Sequence, residues 1–401
     1  MTAGMKWRNK GHEFDVQADK YIDIFNRMNH CIYIFGAGFH GENLAAILDR
    51  YHCFEQYIDN DERKQLEGIA GKGVISFQDY LGQHKKGIIV IAADEKNIPA
   101  IELQILEAGL QQGKDFWVQK EFMQEVFPIL SLYYYNILYM DLAQICLTER
   151  CTLKCKDCAH GCFAVDMKKE DMSLELVKES ADIFFSKVDL IREFVLIGGE
   201  PFLYKDLGPA IEYIGGKYRD QMVIFSITTN GTICPKEEIL DLCRKHNVLI
   251  NISNYSGTVK RLGEQYRKLT EYLERQKVSF TIGNVELQWL DYGFQTVNRE
   301  GNMDELIRVF DECGTLCREI RGNKYYYCVM ARSVSENLEI NVGETDYLDL
   351  NTLGENEKKI ILEFDKGYSE KGYIDMCNHC NGAEAQKYPI PAAIQKISSF
   401  K

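Results

Sequence analysis

The stretch ERCTLKCKDCAHGCF, Glu149 to Phe163, holds four of the chain's 14 cysteines. Cys151, Cys155 and Cys158 follow the spacing C-x3-C-x2-C. Such a loop can wrap three thiolates around one face of a cubic 4Fe–4S cluster, leaving one iron open. A structural zinc ion takes four closed ligands, and Cys162 would complete that set. A disulfide cluster and a redox pair are the other chemistries that crowded thiols allow.

The elements that must position these thiols are legible in the flanking periodicity. MDLAQICLTERC reads as a strand running straight into the cysteine loop. A helix over about residues 174–187, a strand at EFVLIGGEP and a helix over about 207–218 follow. Next come a strand at MVIFSITTNG, a helix over about 236–246 and a strand at VLINISNYS. Strands alternating with helices predict a parallel sheet, whose strand ends share one rim. IGGEPFLY and TTNG each end a strand, so both land on the rim that carries the cysteine loop. A zinc knob needs neither.

Over about residues 140–300 the sequence resembles the radical S-adenosylmethionine (SAM) superfamily, on the joint pattern of cysteine loop, Gly-Gly-Glu-Pro and ordered βα units. The resemblance implies a 4Fe–4S cluster on Cys151, Cys155 and Cys158, with SAM bound at the open iron. Reductive cleavage there gives a 5′-deoxyadenosyl radical that abstracts hydrogen from a substrate. It also implies that Gly198, Gly199, Glu200 and Pro201 hold the methionyl amino group, Glu200 balancing an ammonium. Thr228, Thr229 and Asn230 are implied on the SAM side, with Ser253 near the ribose. A flavodoxin- or ferredoxin-type reductant is implied as electron donor. One departure stands out. The family carries an aromatic residue just before the third cysteine, packing on adenine, and this chain has Asp157 there. Stacking is then expected from Phe163, or is replaced by polar contacts. Cys162 lies outside the three-cysteine core and reads as a bystander.

A second group lies downstream. CREIRGNKYYYC predicts a β-hairpin turning at Gly322-Asn323, with Cys317 and Cys328 at its base. Cys377 and Cys380 form a late C-x2-C, and Cys313 competes with Cys317 as first ligand. Four thiolates suit a closed 4Fe–4S cluster or a zinc ribbon. Behind such a core the arrangement resembles the SPASM/Twitch auxiliary domains, in the shorter one-cluster Twitch form, and so implies a second, auxiliary 4Fe–4S cluster.

Upstream, an apolar strand at CIYIF runs into Gly36-Ala37-Gly38-Phe39-His40-Gly41. A helix follows, then a strand ending near Asp59. This is the strand–GxGxxG–helix–strand–acid order of a dinucleotide fold, in which Gly36, Gly38 and Gly41 let the backbone approach a pyrophosphate. The same glycines also suit tight packing of helix on strand, so a bound nucleotide is one of two readings. The segment resembles the Rossmann-like modules attached to sugar-modifying enzymes.

These readings give an α/β chain: a Rossmann-like parallel sheet over residues 1–128, a partial (β/α)6 TIM-like barrel over 140–304, and a small α+β Twitch domain over 305–401. A Tyr-rich connection is expected near residues 128–140. The formal net charge of −13 argues against nucleic acid as partner. No apolar signal is visible in MTAGMKWRNKGHEFDVQADK, and no run is long enough to span a membrane, which predicts a cytoplasmic protein. Cys31, Cys53, Cys146, Cys234 and Cys243 sit singly and read as buried thiols. The wording of the core and the upstream module tilt the substrate towards a sugar or nucleotide-sugar, oxidised or epimerised in polysaccharide biosynthesis. Trp289 and Asp291 are candidates to face it, against a plainer reading as core anchor and loop acid. A peptide-modifying radical enzyme is the close rival. A non-catalytic iron–sulfur scaffold or nucleotide sensor is the reading from another class.

Overall fold

The computed structural model describes residues 13–84 and 86–396. The first twelve residues, read above for an export signal, lie outside them. The chain divides into two compact units, residues 12–137 and 138–401 with residues 1–11 counted in the second.

In the first unit, α1 (Glu13–Arg27) precedes β1 (Ile32–Phe35), α2 (Phe39–Leu48), β2 (Phe54–Ile58), α3 (Glu62–Glu67), β3 (Val74–Ile75) and α4 (Phe77–Gly82). Then come β4 (Ile88–Ile91), α5 (Ile98–Glu107), β5 (Phe116–Val118), a short α6 (Gln119–Glu121) and α7 (Phe127–Tyr135). The strands pair in parallel in the order β3-β2-β1-β4-β5. Sequence order reverses between β1 and β4, the place where doubly wound sheets open a crevice. Both strands are buried throughout, as their unbroken apolar runs require. The Tyr-rich stretch is a helix, α7, and not a connection. Its ring from Tyr134 meets Phe25 of α1 edge-on at 5.2 Å, and this packing holds the aromatic run helical.

The second unit opens with β6 (Tyr139–Thr148), α8 (Leu174–Lys187), β7 (Leu190–Gly198), α9 (Leu207–Tyr218), β8 (Met222–Thr229), α10 (Glu237–His246), β9 (Val248–Ile252), α11 (Leu262–Arg275) and β10 (Phe280–Ile282). The remainder is β11 (Gln288–Leu290), α12 (Met303–Glu312), β12 (Arg318–Arg321), β13 (Lys324–Tyr326), α13 (Ser335–Asn337), β14 (Tyr347–Asp349), α14 (Glu357–Asp365) and β15 (Pro389–Pro391). One sheet runs β10-β9-β8-β7-β6-β12-β13-β14, and a two-stranded sheet joins β11 to β15. Strands β6 to β10 are parallel neighbours in chain order, the arrangement of a partial barrel. A sixth parallel strand, β12, joins the free edge of β6 and comes from beyond residue 305. Thus the segment read as core and the segment read as auxiliary domain share a sheet and one compact unit.

Local chemistry explains these elements. Ser173 caps α8 by accepting from the Leu176 amide at 3.2 Å. Asn247 ends α10 in the left-handed region, φ 50°. Between α8 and the sheet, Phe184, Phe185, Phe194 and Phe225 are all buried, and each such ring contributes roughly 1.5–3 kcal/mol. The β12–β13 hairpin turns at Gly322 (φ +60°), whose amide donates to Ser180 Oγ of α8 at 2.7 Å. Of the five single cysteines, Cys31, Cys53, Cys146 and Cys243 are buried, whereas Cys234 is exposed. It lies in the irregular turn ahead of Pro235, where no element covers it. Among the described residues, no helix is long and apolar enough to cross a membrane.

Candidate active site

The cysteine loop leaves the end of β6 and is clamped there. Arg150 donates twice to Asp171, at 2.8 and 2.6 Å, and once to the Leu203 carbonyl at 3.0 Å. The next strand end is held as closely. The Gly199 amide donates to the Thr148 carbonyl at 2.8 Å, and the Glu200 amide to the Arg150 carbonyl at 2.9 Å. A Cβ at Gly198 would stand 2.3 Å from the Thr148 oxygen. One at Gly199 would stand 2.4 Å from the Arg150 oxygen and 2.8 Å from Cys151 Cβ. Only glycines allow this approach.

A cavity of about 420 Å³ opens at this rim, within the roughly 300–1,000 Å³ of small-molecule sites. Cys151, Cys155 and Cys158 line it, together with Gly198, Gly199, Thr228, Thr229, Asn230 and Ser253. The sequence singled out all nine. Two others do not reach it. Glu200 and Pro201 are buried behind the wall. Glu200 accepts from Thr229 Oγ1 at 2.8 and 2.9 Å, from the Phe202 amide at 3.1 Å and from the Asn230 amide at 3.0 Å. Its carboxylate therefore ties two strand ends together from behind the cavity wall. Burial pushes its carboxyl up to about 7, against those hydrogen bonds. Phe163 is also absent from the cavity wall; its ring meets the Lys396 ammonium at 4.9 Å. The aromatic wall is Tyr255, Trp289 and Tyr292, with Tyr255 and Trp289 edge-on at 5.4 Å. Trp289 thus borders the cavity, while Asp291 does not. Asp157 is there in the left-handed region, φ 61°.

The thiols suit a soft metal centre. Burial pushes Cys151 up to about 11 and Cys155 up to about 12, a cost that a bound cation reverses. Asn230 Nδ2 lies 3.5 Å from Cys151 Sγ and the Leu153 amide 3.4 Å, donors of the kind that stabilise thiolate ligands. A hydrogen bond from the Cys162 thiol holds Cys158 down to about 7. Among the described residues, no group of three or more His, Cys, Asp or Glu is arranged around a single ion. The donor set, three sulfurs beside an open cavity, fits a cluster with one free iron.

Behind the loop lies a buried charge cluster that the sequence did not announce. Arg332, in a π-helical turn over Met330–Val334, is fully buried and contacts both Glu149 and Glu319. Burial works to raise Glu149, but Arg332 outweighs it and holds the carboxyl below its ordinary value; burial pushes Glu319 up to about 7. Asn337 donates to Glu149 at 2.9 Å and to the His160 carbonyl at 2.8 Å. Burial lowers His160 to about 4, so this cavity-lining imidazole is neutral.

The second cysteine group gathers around the late C-x2-C pair. Cys328, Cys377 and Cys380 are buried, and each thiol is raised first by burial and then by the others or by Cys313. Cys317 is exposed, and its charged neighbours are Arg318, Glu193 and Glu319. Cys313, just past α12, acts on all three buried thiols. Cys317 stays at the base of the hairpin, where its carbonyl accepts from the Val329 amide at 3.1 Å, and it acts on Tyr292 together with Cys313, Cys328 and Cys380. The Ala331 amide donates to Cys328 Sγ at 3.4 Å and the Gly382 amide to Cys380 Sγ at 3.3 Å.

In the first unit, a cavity of about 520 Å³ opens at the ends of β1, β2 and β4. Gly36, Gly38, Asp59, Lys64 and Lys96 are among its walls. A Cβ at Gly36 would stand 2.3 Å from the Ala92 oxygen, and one at Gly41 2.0 Å from the Gly36 oxygen. Both positions serve packing, and only Gly38 faces open space. Asp59 accepts from the Ala37 amide at 2.8 Å and pairs with Lys64 at 2.9 Å.

A parallel sheet with three thiols and a glycine pair at its C-terminal rim defines an α/β protein built to hold an iron–sulfur centre and a small cofactor. Residues 145–276 match the family model described as Radical SAM superfamily, and the chain carries a radical SAM domain there. That family uses a 4Fe–4S cluster and SAM. The chain is 35% identical over 143 residues to molybdenum cofactor biosynthesis protein 1 of Dictyostelium discoideum, covering 35% of this chain and 21% of that protein. It is 22% identical over 156 residues to GTP 3′,8-cyclase of Rhizobium etli (strain CIAT 652), covering 38% and 41%. It thus spans less than half the length of either relative. Among solved structures, BtrN in complex with AdoMet and 2-DOIA overlaps with a TM-score of 0.38 at 14% identity, over 64% of this chain and 97% of that one. Streptococcus suis SuiB bound to precursor peptide SuiA overlaps at 0.29 and 17%, over 47% and 44%.

Proposed function

We propose that the chain is a cytoplasmic SAM-dependent radical enzyme that abstracts a hydrogen atom from a sugar or nucleotide-sugar, leading to oxidation or epimerisation at a hydroxyl-bearing carbon. The observation that carries the reading is the convergence of Cys151, Cys155 and Cys158 with Gly198, Gly199, Asn230 and Ser253 on one cavity. When bound, the cluster and SAM supply a carbon radical, with the electron coming from a flavodoxin- or ferredoxin-type donor. The chain's own residues place the groups and exclude water. Gly198 and Gly199 bring backbone against the cysteine loop, the Gly199 carbonyl lying 3.1 Å from Cys151 Sγ. Glu200 locks the strand ends from behind. Tyr255, Trp289 and Tyr292 supply the apolar wall that Asp157 does not. Neutral His160 and Asp157 give the mouth its polar character, which suits hydroxyl groups.

Cys313, Cys328, Cys377 and Cys380 would hold the auxiliary cluster. With all irons ligated, it can accept an electron from a substrate radical or brace the fold. In the first unit, Gly38 and the cavity beside it support a nucleotide or sugar-nucleotide site.

Anaerobic incubation with SAM and dithionite tests the proposal. The protein should release 5′-deoxyadenosine, and Cys155→Ala should abolish it while keeping the second cluster. A fully clustered protein that releases none is a scaffold or sensor.

A further inference from the structure

The face of the large sheet turned away from α8 carries a polar ladder between apolar side chains such as Ile191, Val195 and Leu249, where barrel interiors are ordinarily filled by branched apolar side chains alone. Phe194 packs against Phe184 of α8 at 5.8 Å, so its neighbour Glu193 points to the opposite, inner face. Parallel register puts Ser226 beside Val195, Asn251 beside Thr228, and Thr281 beside Asn251, all on this face. They form one ladder across four strands. Thr281 Oγ1 donates to Asn251 Oδ1 at 2.7 Å, and Asn251 Nδ2 donates to Glu193 Oε1 at 3.2 Å. Ser226 Oγ donates to the same oxygen at 2.8 Å. Among the described residues, Glu193 Oε2 meets Arg192 Nη1 alone, at 3.3 Å. On β6, Gln144 pairs in register with Val195, is 3% exposed, and has no partner for its Nε2 among the described residues.

We infer that this inner face recognises a polyhydroxylated ligand, with Glu193 as its anchor and Gln144, Ser226 and Asn251 as its hydrogen-bonding partners. The chemistry selects the class. A buried amide donor without an acceptor and a carboxylate with acceptor capacity to spare call for a group that both accepts and donates. A hydroxyl does both. An apolar ligand satisfies neither, and a cation satisfies the carboxylate alone. Position agrees with use. Asn251 and Ser226 lie two residues below the rim positions Ser253 and Thr228, and Glu193 lies five below Gly198, about 16 Å along the strand. A ligand anchored here extends upward to the cysteine rim. That use rests on the radical enzyme reading above.

Saturation-transfer NMR on the full-length, anaerobically reconstituted protein with SAM tests the inference. The probes are glucose, myo-inositol, N-acetylglucosamine and UDP-glucose, with a lysine-rich peptide as the contrasting ligand. At least one polyol probe should bind, and Glu193→Gln and Gln144→Leu should each weaken it about tenfold. Asn251→Ala serves if either variant does not fold. Binding of no polyol probe, binding untouched by these substitutions, or binding of the peptide alone overturns the inference. Release of 5′-deoxyadenosine is scored separately. Polyol binding without it sinks the radical enzyme reading and keeps this surface; its release without polyol binding does the reverse.

Discussion

Gln395 donates its side-chain amide to the Cys155 sulfur across 3.2 Å, although 240 residues separate the two. The contact belongs to a strap. β15 pairs with β11, and beyond it Gln395 forms an antiparallel bridge with Cys155. The Lys156 amide donates to the Ile394 carbonyl and the Lys396 amide to the Lys154 carbonyl, both at 2.6 Å. The cysteine loop is thus fixed from the C-terminal side as well as by β7. An N–H donor to a ligating sulfur stabilises the reduced cluster. Loss of about 1 kcal/mol of such a bond corresponds to roughly 40 mV in a one-electron couple. Gln395→Ala should lower the midpoint potential of the SAM-binding cluster by about that amount in an EPR-monitored redox titration. An unchanged potential would show that the strap only covers the loop.

The glycine pair makes a sharper steric prediction. Any Cβ at position 199 must displace the Arg150 carbonyl or Cys151 itself. Small misplacements of reacting groups cost on the order of 100-fold. Gly199→Ala should therefore lose 5′-deoxyadenosine formation by about that factor, while circular dichroism stays that of the folded protein. Gly82→Ala, at the end of α4 in the first unit, meets open space and should leave the rate alone.

Iron content separates Cys313 from Cys317. The buried trio Cys328, Cys377 and Cys380 has Cys313 as its neighbouring thiol. Cys313→Ala should lower reconstituted iron from about eight per chain to about four. Cys317→Ala should leave it near eight. The opposite result would restore the assignment read from the hairpin.

Glu200 gives stability a pH signature. Its carboxyl is pushed up to about 7 by burial, above an unfolded value of 4.5. Between those values the folded chain holds a proton that the unfolded chain has released. The contribution is fully present below pH 4.5 and is lost as pH rises through about 7. Glu200→Gln should flatten the decline in denaturant midpoint from pH 5 to pH 7.5 relative to the parent protein. Equal slopes in the two proteins would show that the carboxylate is already ionised in its cage.

Much of the rim was legible because its signals are local. The C-x3-C-x2-C loop, Gly198-Gly199 and the TTNG turn each close a βα unit whose periodicity is visible within a dozen residues. The boundaries of α8 and α9 agree with expectation for the same reason. Contacts made across the chain left no such trace. Nothing near Gln395 marks it as a partner of Cys155, and nothing near Arg332 marks it as the counterion of Glu149. Glu200 was read as facing a ligand because its motif lies at the rim. Its side chain turns inward, where Thr229 and two backbone amides offer it hydrogen bonds. The hairpin spacing puts Cys317 beside Cys328, through the Val329 amide, but its thiol is exposed, whereas Cys313 comes to the buried trio from the end of α12, a contact that spacing does not announce.

The central claim is that the Cys151–Cys155–Cys158 loop holds a four-iron cluster with one iron open to SAM. Mössbauer and EPR spectra of the air-free, reconstituted protein, recorded with and without SAM, test it most directly. The account predicts two four-iron clusters, one of which changes its signal when SAM is added and loses that response in Cys155→Ala. Tetrahedral zinc in the loop, or clusters whose spectra ignore SAM, would contradict it.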